Sequence, residues 1–134
     1  MDGNGSGEAR FLAAIAEHRE AMLHLCRRLS EHPRVAEATS GLDVRAYRTP
    51  GTVLESWVEA GMRDGAVLCW WLELRRERDR WLIEASVLRN DDAGQDTVRR
   101  TSDRSAPSLA AFVEDLRSAT AELTGPASEA DLQV

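Results

Sequence analysis

The chain has 134 residues, 43% of them apolar and 30% charged, with a formal net charge of −6 and a pI near 5.1. This length and apolar share suit one domain with a buried core, and the acidic balance argues against general nucleic-acid binding or an anionic membrane surface as the main role. All 17 basic residues are Arg, so neither a Schiff-base lysine nor a phosphate-loop lysine exists here.

The absence of Lys beside abundant Ala, Gly and Arg looks like the codon bias of a GC-rich bacterial genome, and a bacterial source is the expectation. The start, MDGNGSGEAR, is polar and Gly-rich. Residues 1–7 are expected to be disordered and to carry no secretory signal. No apolar run approaches the roughly 20 residues of a membrane span. Cys26 and Cys69 form no CxxC pair and read as two small hydrophobic residues in a reducing compartment. A cytoplasmic location is the expectation.

In chain order, a helix is expected from about Glu8 to about Glu31, with Ser6 as its N-cap. Phe11, Ile15, His18, Met22, Leu25 and Leu29 form one apolar stripe at 4-3-4-3-4 spacing, and Pro33 closes the helix. A strand Leu42 to Arg48 follows, then a Thr49-Pro50-Gly51 turn. The second strand, Thr52 to Ala60, ends in an Arg63-Asp64-Gly65 hairpin loop.

The stretch from Ala66 to Leu88, AVLCWWLELRRERDRWLIEASVL, carries the densest information. Leu68, Trp70, Leu72 and Leu74 alternate along one strand, and Trp81, Ile83, Ala85 and Val87 along the next. That period of two places them on one face of a sheet. The other face mixes Val67, Cys69, Trp71, Leu82 and Leu88 with Glu73, Glu84 and Ser86. A sheet apolar on both faces must cover the second with its own helix or with a partner.

Matching faces set a register. The Arg63–Gly65 loop puts Val58 opposite Trp70, Ala60 opposite Leu68 and Trp57 opposite Trp71. A tip at Glu77-Arg78 puts Leu74 opposite Trp81, Leu72 opposite Ile83 and Glu84 opposite Trp71. In the first hairpin, Arg45 falls opposite Glu55.

Asn90 to Asp96 reads as a loop, and Thr97 to Thr101 as a short fifth strand on a thin pattern. Ser105 and Pro107 announce a second helix with Leu109, Phe112, Val113, Leu116 and Leu123 on one face, ended by Gly125-Pro126. Residues 125–134 are expected to be a loose tail. The sum is a single α+β domain over 8–124: an N-terminal helix, a four- to five-stranded antiparallel meander, and a C-terminal helix packed on the sheet.

Chemistry-bearing groups are sparse. His18, His24 and His32 are spaced by six and eight residues, unlike the three or four that put two metal ligands on one helix face. Asn90, Asp92 and Asp96 alternate like oxygen ligands, but Gly94 and Thr101 fall where a calcium loop needs other spacing and a Glu. Glu55, Glu59, Glu73 and Glu84 sit on strands facing away from the main core, and nothing in the sequence places them in a cleft. Ser105 and Ser108 lack a GxSxG context, and no GxGxxG or Walker loop is present. No catalytic residue, cofactor or metal is expected.

The candidates for binding are therefore surface groups. Trp57, Trp71 and Leu82 share the outer sheet face, and tryptophan is enriched at binding hot spots. Arg76, Arg78 and Arg80 lie in the RRERDR tip, and Arg99, Arg100 and Arg104 form a second basic cluster. Such groups can grip an acidic partner or a phosphate, or simply keep an exposed tip solvated.

The order of one helix, a run of strands and a closing helix, over roughly Glu8 to Leu123, resembles the type III secretion chaperone-like domains, including stand-alone bacterial members and some immunity proteins of toxin systems. Other small α+β immunity proteins fit the order equally well. The resemblance is architectural and implies a small protein that binds another protein, commonly as a dimer. The expected function is a non-enzymatic cytosolic protein-binding module with another protein or a second copy as partner, and with neither nucleic acid nor membrane. The alternative is a ligand-binding or enzymatic domain with a pocket between sheet and helices, for which His18 is the one polar residue expected inside.

Overall fold

The computed structural model describes residues 3–45 and 50–133. Helix α1 (Gly3–Ser30) leads into five strands, β1 (Val35–Val44), β2 (Gly51–Met62), β3 (Val67–Arg76), β4 (Trp81–Asp91) and β5 (Gly94–Ala106). Helix α2 (Leu109–Thr124), a one-turn helix α3 (Ala127–Ala130) and a 3-10 turn (Asp131–Gln133) complete the chain. The strands form one antiparallel sheet in the order β1-β2-β3-β4-β5. The fold is the expected α+β arrangement, with the fifth strand far longer than its sequence pattern indicates.

Alternation decides which side of the sheet becomes the core. Leu54, Val58, Leu68, Trp70, Leu72, Leu74 and Val87 are fully buried, and all point to one side. The α1 stripe meets them there: Phe11, Leu25 and Leu29 are fully buried. Phe11, Trp81 and Phe112 form an aromatic cluster that joins α1, β4 and α2, with ring centroids 4.8–5.9 Å apart. Ser108 caps α2 by accepting a hydrogen bond from the Ala111 N–H.

One buried polar cluster crosses this core. The Thr120 hydroxyl donates to the Leu116 carbonyl at 2.8 Å, so its oxygen accepts from His18 Nδ1 at 2.8 Å. The other ring nitrogen, Nε2, then accepts from the Ser56 hydroxyl at 2.5 Å. This sequence of donors fixes the neutral Nδ1–H tautomer. Burial lowers the His18 pKa to about 4, so the ring is uncharged at neutral pH.

Several expectations are corrected. Helix α1 begins at Gly3, so residues 3–7 are helical and Ser6 is not its cap. This is a glycine-rich turn that intrinsic helix propensity disfavours. The first strand spans Val35–Val44, earlier than Leu42 to Arg48; residues 46–48 of that expectation and Thr49 of its turn lie outside the described residues. Asp43, rather than Arg45, sits opposite Glu55. Arg45 instead hydrogen-bonds through its backbone to Val53 and pairs with Asp43.

The β2–β3 register is as expected, with Trp57 opposite Trp71. The β3–β4 hairpin is shifted by two residues: Arg76 pairs with Trp81, Leu74 with Ile83 and Glu73 with Glu84. A bond from the Glu77 N–H to the Arg80 carbonyl centres the tip on Arg78-Asp79. An even shift keeps every side chain on its expected face and only slides it along the strand. Asn90 to Asp96 is not a loop but the Asp91–Gly94 hairpin, where Gly94 takes a φ of 127°.

The segment expected to be a loose tail is folded back onto the domain. Leu132 is 1% exposed and Asp131 5%. Asp131 accepts two bonds from Arg99, at 2.7 and 2.9 Å, and one from the Trp70 indole N–H at 3.1 Å. Arg28 holds the same segment through Glu129 at 2.7 Å and Ser128 at 2.9 Å. The sequence pattern is silent here because ion pairs, rather than an apolar stripe, anchor so short a piece.

Candidate protein-binding face

Both long helices lie on one side of the sheet. His18 of α1 touches Ser56, while Phe11 of α1 and Phe112 of α2 touch Trp81, all core-facing positions. Among the described residues, no hydrogen bond, ion pair or ring contact joins a helix to Trp57, Trp71, Leu82 or their neighbours on the opposite face.

Its side chains fall into rows that run across the strands. One row is Gly41, Trp57, Trp71, Ser86 and Arg100. The Trp57 indole lies over Gly41, in the space a Cβ would occupy, so only glycine fits at that position. Both Trp57 and Trp71 are half-buried. Beside them, on the side away from the hairpin tip, come Glu59, Cys69 and Leu88.

The next row toward the tip is Asp43, Glu55, Glu73, Glu84 and Asp103: one carboxylate from every strand. Like charges directly opposite one another destabilise a sheet. Part of that repulsion is offset locally. The Trp71 indole N–H donates to Glu55 at 3.3 Å and the Thr52 hydroxyl to Glu73 at 2.8 Å. Arg45 stands by Asp43 at 3.3 Å and Arg100 by Asp103 at 3.9 Å. Desolvation, then the charges of Glu59 and Glu55, push the Cys69 thiol up to about 12, so it stays protonated and is a poor nucleophile.

The expected site residues divide. Trp57 and Trp71 are neighbours, as expected. Leu82 is on the same face but on the far side of the carboxylate row, opposite Arg75 and Ser105. Leu88 takes the place beside the tryptophans. Arg76 lies on the helix side, its guanidinium 5.5 Å from the centre of the Trp81 ring. Arg78 and Arg80 are exposed at the tip. The basic cluster of Arg99, Arg100 and Arg104 is split by the alternation of β5: Arg99 binds Asp131, Arg104 binds Glu122 at 2.5 Å, and Arg100 alone faces the open side.

Two elements of the site are absent from the expectation. The carboxylate row needs the register of five strands at once, which pairwise alternation does not supply. The Ser56 and Thr120 partners of His18 are visible only once α1, α2 and β2 are brought together. The three histidines do not converge: His18 is in the core, whereas His24 is exposed. Among the described residues, no group of three or more His, Cys, Asp or Glu side chains is placed to hold a metal ion. Among the described residues, no helix is long and apolar enough to cross a membrane.

No protein-family model matches the chain, and neither a curated protein sequence nor a solved structure is significantly similar to it.

Proposed function

We propose that the protein is a non-enzymatic, cytosolic protein-binding module, chaperone-like or immunity-like in role, that receives its partner on the open face of the sheet. The observation that carries this reading is that both long helices pack on one face while Trp57 and Trp71 sit on the other. Two tryptophans side by side are a large apolar area for a face in contact with water. The carboxylate row beside them selects the partner's chemistry: an apolar patch bordered by Arg or Lys side chains. The exposed Arg78 and Arg80 at the tip would meet an acidic margin of the same partner.

The alternative, a ligand pocket between sheet and helices, has less support. The polar groups in that layer, His18, Ser56 and Thr120, already satisfy one another, and Ser56 is fully buried. A Ser hydroxyl donating to a His nitrogen has the geometry of an activated nucleophile, but the Ser56 side chain is 0% exposed, which weighs against this reading.

The test is co-elution by size-exclusion chromatography with light scattering, using wild type and the Trp57→Ala, Trp71→Ala double variant. The expected result is that the double variant keeps its circular dichroism spectrum and loses association. A variant that unfolds would instead mark the two tryptophans as core.

A further inference from the structure

The two edges of the sheet are built differently. Edge strand β5 is guarded. It carries two register shifts, and its Arg99 and Arg104 reach across to Asp131, Glu122 and Asp115. Edge strand β1 lacks those devices. Its one irregularity is at Val35/Glu37, and from Glu37 to Val44 it holds no Arg, Lys or Pro. Sheets normally blunt an edge with such residues, because free backbone N–H and C=O groups template pairing with another strand.

The space beside β1 is also prepared. A groove runs between the strand and α1, lined by Arg19, Met22 and Leu23 against Ser40 and Leu42. It continues past Cys26 and Arg27 to Ala38. The two exposed large hydrophobics of the described chain, Leu12 at 59% and Val44 at 48%, flank this edge. Helical spacing puts Leu12 on the same stripe as Arg19 and Leu23.

We propose that β1 pairs antiparallel with β1 of a second copy about a two-fold axis at Gly41, joining two sheets into one of ten strands. The register follows from self-complementarity. Centred on Gly41, each Glu37 faces the partner copy's Arg45, each Thr39 faces an Asp43, and both pairs occur twice. On the helix side, Ala38 faces Val44 and Ser40 faces Leu42, which covers the exposed Val44. A centre one residue earlier, at Ser40, would set Glu37 against Asp43, two like charges. Gly41 at the axis places the two Trp57 rings, each lying over its own Gly41, next to one another.

The dimer seam meets the open face at Trp57 but not at Trp71, one strand further in, so the two readings fail separately: Trp71→Ala, which removes one ring of the aromatic pair, leaves the dimer intact. The experiment is sedimentation equilibrium of the full chain over a range of concentrations. The wild type is expected to show a monomer–dimer equilibrium. Arg45→Glu and Glu37→Arg each weaken it roughly tenfold, since symmetry applies each change twice, and the double variant returns to within a few-fold of wild type. Independently, Thr39→Cys with Asp43→Cys gives a disulfide-linked dimer under oxidant. Within one strand these positions are roughly 13 Å apart and cannot bridge. A wild type monomeric at every concentration, a dimer indifferent to the reversals, or a double variant no better than either single one overturns the proposal.

Discussion

Trp70 and Trp71 are adjacent in sequence and opposite in fate. Trp70 points into the helix layer, is fully buried, and has its indole N–H taken by Asp131. Trp71 points to the open face, stays half-buried, and gives its N–H to Glu55 at the rim of a carboxylate row. The same residue type on the same strand is thus a structural element on one face and a binding candidate on the other. What differs is the company each face keeps. The covered face resolves its polar groups into closed clusters, His18 with Ser56 and Thr120, and Asp131 with Arg99 and Trp70. The open face leaves five carboxylates in line beside apolar surface, an arrangement that does not favour the isolated fold.

The sharpest contrast is truncation. Trp70→Ala is expected to destabilise the protein by about 4 kcal/mol, from lost burial and the cavity left behind. Trp71→Ala should cost under about 1 kcal/mol, because the ring is already partly in water. Urea denaturation of the two variants measures the difference, and comparable losses would erase the distinction between the faces.

The closed clusters predict two further effects on the covered side. The His18 pKa is about 4 in the folded protein against 6.5 for the free side chain. Between these values the unfolded chain binds a proton that the folded protein does not. Stability therefore falls as pH drops from about 6.5 to 4, by on the order of 3 kcal/mol, and this contribution levels off below about 4. His18→Gln should flatten that part of the stability–pH curve. Asp131→Ala should cost about 3 kcal/mol by leaving Arg99 and the Trp70 N–H without their carboxylate. Its melting temperature reports this, and a change near zero would mean that the terminal segment is not anchored there.

The smallest expected effect has the opposite sign. Glu84→Gln relieves like-charge contact with Glu73 and should stabilise the fold by a few tenths of a kcal/mol, while weakening capture of a basic partner. A variant that is less stable would show that the row contributes to folding.

How much of this was legible in the sequence follows from what each signal encodes. Alternation in β2, β3 and β4 assigned Trp70 and Trp71 to opposite faces, because period two depends on local geometry alone. The α1 stripe was legible for the same reason. The hairpin tip was not, since RRERDR carries no Gly, Asn or Pro to pin the turn, and the register slid by two. That slide separated Leu82 from the tryptophans and completed the carboxylate row. Strand β5 was nearly invisible because its helix-side positions hold Arg99 and Arg104 where alternation looks for apolar residues, and their partners, Asp131 and Glu122, come from the far end of the chain. The folded terminus was missed for the complementary reason: its anchors are Arg28 and Arg99, remote in sequence.

The central claim is that the face bearing Trp57 and Trp71 is free in the isolated chain and covered in its complex. Hydroxyl-radical footprinting of the four tryptophans, on the purified chain and on the chain recovered with a stoichiometric partner, tests it directly. The account predicts that Trp57 and Trp71 react in the purified chain while Trp70 and Trp81 are protected, and that the partner then shields Trp71. Protection of Trp71 equal to that of Trp70 in the purified chain, or reactivity unchanged by the partner, would contradict it.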